Sequence, residues 1–266
     1  MNSSIAELAT RALRAAGPDI KLAAIDILSA ALAVSPTPTF TTATVVERGL
    51  PDRPVRVAPK DVLHRKLTTP EGRAILIHAI AHIEYSAIDL ALDHALRFPG
   101  FPSEYYSDWL GVAIEEGYHF RLLRGHLQAL GHDYGDFPVH DSLWQMALKT
   151  KDDALDRMAL VPRLLEARGL DATPPLQKRL TAAGDHAAAS LLDVILHDEE
   201  GHVGIGDKWF RHICEQRKLE PEVTFRQLIT RHKGPWPQTP MNYVSRLKAG
   251  FSQTELDNLT ALAPHR

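Results

Sequence analysis

At 266 residues the chain is long enough to bury a sizeable core. Its formal charge of −3, with no basic block, offers no electrostatic footprint for nucleic acid, and the lone Cys214 excludes an internal disulfide and any cysteine-built zinc or iron–sulfur site. No uncharged run approaches the roughly 20 residues that span a membrane, and MNSSIAELATRALRAAG lacks the apolar core of a signal peptide, so a soluble cytoplasmic protein is expected.

Ile5, Leu8 and Leu13, then Leu22, Ile25, Leu28 and Leu32, recur at helical spacing and predict two short amphipathic helices broken at Gly17-Pro18. From Ala33 to about Lys60, five prolines and the threonine-rich TFTTATVV predict an extended arm lying over the remainder, because one such strand has nothing to pair with. A lid over a site is the functional alternative for this arm.

A long helix is expected to begin at Pro70, after Thr69, and to end near Arg97. Ile77, Ile80, Ala81, Glu84 and Ile88 share one stripe, which sets Glu84 inside an apolar face; His78, His82 and Asp89 fall off it and read as surface or supporting groups. Ser103 reads as the cap of a second helix reaching Leu130 and stopping at Gly131, with Trp109, Val112, Glu116, His119, Leu123 and Leu127 inward. The connection GHDYGDFPVH, 131–140, extends to at most about 35 Å, so a long crossover would draw in part of 140–150.

DDALDRMALVPRLLEARG predicts a third helix, kinked by Pro162, which leaves Glu166 near its apparent end at Gly169; Pro174 to Ala183 reads as a separate short helix. The fourth helix, about Asp185 to Arg217, turns Leu192, Ile195, Glu199, His202, Ile205 and Trp209 inward. Gly201, Gly204 and Gly206 within it each cost about 1 kcal/mol relative to alanine, and either permit the close approach of another helix or mark a local distortion. Pro221 to His232 and Thr254 to Leu262 predict two more helices, flanking GPWPQTP, with packing as their role.

The chemistry lies in a repeat. Glu116 and His119, and again Glu199 and His202, are three residues apart, which puts a carboxylate and an imidazole one turn apart on one helix face where both can hold a metal ion. Glu84 precedes Glu116 by 32 residues and Glu166 precedes Glu199 by 33, and Glu166 is the one glutamate between Glu116 and Glu199. Glu, Glu-x-x-His, Glu, Glu-x-x-His is the inward ligand order of di-iron and di-manganese four-helix bundles. Four carboxylates and two neutral imidazoles balance two divalent cations, and burying that many carboxylates without metal would be costly.

HAIAHIE, EEGYHF, LLEARGLD, DEEGHV and the late AGFS-x-x-EL stretch together resemble the ferritin-like superfamily, and within it a bacterial ferritin-like family of unknown function, DUF455, with a more distant similarity to the di-iron hydroxylases that modify tRNA. The resemblance implies an all-α protein: 1–68 as N-terminal helices and arm, 69–217 as a ferritin-like four-helix bundle, and 218–266 as a C-terminal helical extension. It implies Glu84, Glu116 and His119 on one iron, Glu166, Glu199 and His202 on the other, and Glu116 and Glu199 bridging. Glu115 and Asp198 are expected to orient the imidazoles through hydrogen bonds.

A carboxylate-rich set suits two irons, with manganese or a mixed pair as alternatives. The leading expectation is an oxidase or hydroxylase that uses O2, acts on a small molecule of unspecified identity and draws electrons from a reductase or ferredoxin. A ferroxidase or iron-handling protein, a tRNA-modifying hydroxylase and a non-enzymatic helical interaction module are the alternatives. A homodimer stays open as an assembly. Tyr85, Tyr118, Phe120, Trp109 and Trp209 read as packing residues, and His126, His132, His140, His186, His197 and His212 as surface or capping groups.

Overall fold

A computed structural model describes residues 4–262, and these contain helices, turns and one isolated bridge but no strand. The chain divides into two compact units, Met1–Trp144 and Gln145–Arg266.

The first unit opens with α1 (Ile5–Arg14), which carries a capping box between Ser4 and Glu7, and α2 (Pro18–Val34). They pack on each other and on the longer pair α3 (Pro70–Arg97) and α4 (Ser103–Ala129). The start of α3 follows from its sequence: Pro70 fills the first turn, where its missing N–H costs nothing, and Thr69 Oγ1 accepts from Gly72 N–H at 3.0 Å. At α4 the boundary differs from expectation. Pro102 occupies the cap and Ser103 is already helical, with no side-chain cap bond.

The arm finds partners outside any sheet. Thr44 N–H donates to Leu96 O at 2.8 Å, Phe40 stacks on Tyr106 with ring centroids 4.6 Å apart, and Val55 and Val57 exchange backbone bonds with Val139 of the long loop. Such pairing satisfies backbone groups that a lone strand would leave to water.

Helix α3 is the one described helix long and apolar enough to cross a membrane, yet 78% of its most apolar stretch is buried within the protein, which accounts for that composition. A helix hydrophobic on most of its faces is a core helix. The buried charge of Lys21 is paired: its Nζ, fully buried, donates to Asp89 at 2.5 Å and to Ala12 O at 3.0 Å.

After α5 (Ser142–Lys149), the second unit holds α6 (Ala154–Leu160), a π-helical turn Val161–Glu166, α7 (Ala167–Ala182), α8 (His186–Gln216) and the shorter α9 (Pro221–Arg231), α10 (Tyr243–Lys248) and α11 (Gln253–Leu262). Here the structure corrects two expectations. The third helix does not end at Gly169, and Pro174 does not begin a new one: α6, the π turn and α7 run on as one rod to Ala182, with Pro174 and Pro175 inside it. Pro174 cannot donate to Leu170 O, but Asn242 Nδ2 does so at 3.1 Å, so the orphaned carbonyl is satisfied. Pro162 has its expected effect, since the extra residue per turn begins beside it.

Helix α8 packs along this rod, and Asp185 caps it by accepting from Ala188 N–H at 3.0 Å. Its three glycines have different explanations. A Cβ on Gly206 would lie 2.5 Å from Pro162 Cβ, one on Gly204 would make ordinary contact with Ala249, and one on Gly201 would meet open space. Close approach to the π turn therefore requires glycine at 206. Gly206→Ala is expected to destabilise the protein by about 1–3 kcal/mol through overpacking, whereas Gly201→Ala should be neutral or stabilising; urea unfolding of the two variants checks this.

Candidate metal centre

Two consecutive helices build the first half of the centre. Glu84 comes from the middle of α3, and Glu116 and His119 from the middle of α4, where the side chains at i and i+3 emerge on one face. All three are buried, with His119 at 0% exposure. His119 Nδ1 stands 3.3 Å from Glu84 Oε2 and 3.5 Å from Glu116 Oε2. Those distances exceed the usual N–H···O hydrogen bond. They lie close to the spacing of about 3.0–3.4 Å between neighbouring donor atoms on one cation with bonds of about 2.1 Å.

The second half repeats the local geometry on α8. His202 Nδ1 lies 3.5 Å from Glu199 Oε1; His202 is buried and the Glu199 side chain is 14% exposed. Glu166 closes the π turn at the start of α7, half-buried and well inside the rod, so the third helix extends beyond it rather than ending there. The same imidazole atom, Nδ1, faces carboxylate in both halves, which leaves Nε2 to carry the proton when Nδ1 serves as ligand. Glu116 with His119 in the first unit, and Glu199 with His202 in the second, are Glu/His pairs of the kind that could hold a metal ion. The donor set passes the chemical test for a hard divalent cation, being carboxylate oxygen with one imidazole in each half.

Electrostatics within the first half are strong. Burial alone would lower the His119 pKa, but the adjacent Glu116 and Glu84 carboxylates outweigh it and push the imidazole up to about 11. The residues expected to orient the imidazoles sit differently from one another: Glu115 is exposed on α4 and Asp198 half-buried on α8.

Beside Glu84, the face of α3 is lined by imidazoles that are neutral and interior rather than on the surface. His78 accepts from Gly135 N–H at 2.9 Å. His82 faces the carbonyl of His140 with Nε2, at 3.2 Å, and the hydroxyl of Tyr134 with Nδ1, at 2.8 Å. The carbonyl can only accept, so Nε2 carries the proton of a neutral His82 and Nδ1 accepts from Tyr134. Sequence spacing hid these roles because every partner lies in the irregular loop 131–140. Tyr85 and Phe120 are buried packing residues as expected, whereas Tyr118 is half exposed.

A family model described as "Protein of unknown function (DUF455)" matches residues 13–257 of this chain. A protein of Haemophilus influenzae, described as "Uncharacterized protein", is 47% identical over 214 residues, covering 78% of this chain and 74% of its own length. No solved structure matches.

His78 supplies a pH test of the interior. Desolvation holds its pKa down at about 4, against 6.5 for a free imidazole, despite the opposing pull of Asp136 and Asp133. Between those values the unfolded chain takes up a proton that the folded one refuses, so stability falls as pH falls. From pH 7 to pH 5 this group alone should remove about 2 kcal/mol. His78→Gln, which keeps an acceptor, should flatten that part of the denaturation profile, and an unchanged slope would contradict the assignment.

Proposed function

The chain belongs to the DUF455 family, and we propose that its function is that of a ferritin-like dinuclear metal protein, an O2-dependent oxidoreductase. In this reading α3, α4, the rod containing the π turn, and α8 form the four-helix bundle. Glu84, Glu116 and His119 would hold one ion, and Glu166, Glu199 and His202 would hold the other. The observation that carries the reading is the repeated turn: two Glu-x-x-His pairs with the same 3.5 Å spacing between His Nδ1 and carboxylate, both with a buried histidine.

When bound, a pair of irons, or manganese in their place, supplies the two electrons that reduction of O2 to the peroxide level requires. The chain's own groups set the conditions for that chemistry. The carboxylates offset the charge of two divalent cations, and the two imidazoles each offer a neutral donor with its orientation fixed by the helix. The apolar body of α3 around Glu84, including Ile77, Ala81 and Ile88 at 0% exposure, keeps bulk water from that half. A small-molecule substrate and an electron-donating protein complete the proposed cycle.

Elemental analysis after anaerobic loading with Fe(II) is expected to give about two irons per chain, with oxygen consumed on exposure to air. Glu116→Ala and Glu199→Ala should each abolish tight binding of the pair. Glu200→Ala should leave it intact, because Glu200 is turned to Lys248, with Oε2 2.9 Å from Nζ. Iron-free protein after loading, or equal loss in all three variants, would overturn the proposal.

A further inference from the structure

The late AGFS-x-x-EL stretch and the buried Arg163 belong to one arrangement. Arg163 lies in the π turn, one residue after Pro162 and three before Glu166, with no exposed surface. Its Nε donates to Asp207 Oδ1 at 2.6 Å and its Nη2 to Glu255 Oε1 at 2.5 Å. Arg211 closes the ring from outside: its Nε donates to the other Asp207 oxygen at 2.7 Å and its Nη2 to the other Glu255 oxygen at 3.3 Å. Two guanidinium groups thus alternate with two carboxylates, and the Arg163 guanidinium also lies over the rings of Phe225 at 4.2 Å, Phe251 at 4.4 Å and Phe210 at 5.0 Å.

The motif supplies much of this arrangement. Gly250 has φ +95 and sits so close to Asp207 that a Cβ would stand 2.5 Å from Oδ2. Phe251 covers the guanidinium, Ser252 Oγ accepts from Glu255 N–H at 3.0 Å, and Glu255 is the carboxylate partner. The C-terminal helices therefore serve a purpose beyond covering the core.

A buried ion network is a poor source of stability, since well-packed apolar side chains of similar volume do as well or better; what it fixes is relative position. Here the elements tied together are the π turn that carries Glu166 and the helix that carries Glu199 and His202, for Asp207 lies on α8 five residues beyond His202. We infer that Arg163 is a positioning residue: anchored by Asp207, Glu255 and the three phenylalanine rings, it holds Glu166 in register with Glu199 and His202. The inference rests on the metal-site reading above and adds a long-range determinant to the second half of that site.

Mn(II) titration followed by electron paramagnetic resonance separates positioning from stability. Wild-type protein is expected to bind two ions with a coupled signal. Arg163→Met should keep its helical circular dichroism and the first ion, bind the second at least tenfold more weakly, and show the six-line signal of an isolated ion. Arg163→Lys, which retains a charge for Asp207, should recover part of the second affinity. Should Arg163→Met fail to fold, Glu255→Gln carries the comparison and should weaken the second ion severalfold. A variant that melts earlier yet still binds two coupled ions would overturn the inference and leave the metal-site reading standing. Wild-type protein that takes up no manganese would overturn both.

Discussion

Burying carboxylates in an apolar helix pair is the constraint on which the rest of the structure depends. Glu84 and Glu116 lie within faces otherwise made of Ile77, Ala81, Ile88, Val112 and Leu123, and an ionised carboxylate there cannot draw on bulk water for stabilisation. His119 stands between the two and is pushed towards its charged form, the response expected of an imidazole facing two carboxylates in a low-dielectric interior. A divalent cation answers the same electrostatic demand more completely, and the proposed function follows from that substitution.

The two units handle other buried charge in a common way, by tying it to a neighbouring element. Lys21 carries a charge from α2 into the interior to meet Asp89 on α3, which fixes the N-terminal hairpin against the helix bearing Glu84. Arg163 does the corresponding work in the second unit, where Asp207 and Glu255 receive it. Neither network is an economical source of stability. Both hold a helix that carries proposed metal ligands to the elements around it, and both use residues that surface patterning would never require.

How much of this was legible in the chain depends on how local the determining interactions are. Glu84, Glu116, His119, Glu199 and His202 are visible because they interrupt apolar stripes in regular helices, where period alone assigns the face. Glu166 is harder to place. The π turn adds a residue and breaks the period, and the rod continues through Pro174 because Asn242, 72 residues beyond Leu170, supplies the missing donor. Arg163 is invisible to any local reading, since its partners lie 44 and 92 residues further along. The arm shows the same limit: its partner Val139 belongs to a loop without periodicity. Family membership rests on the match over residues 13–257 and the Haemophilus relative, while the metal chemistry rests on donor types and spacing.

Under the proposed function the two Glu-x-x-His turns serve one pair of ions rather than two unrelated ones. X-ray absorption fine structure of the fully iron-loaded protein measures this directly. The expected result is oxygen and nitrogen scatterers near about 2.1 Å and a metal–metal vector at about 3–4 Å, the separation typical of dinuclear centres. A spectrum with the light-atom shell but no metal scatterer within about 5 Å would contradict it.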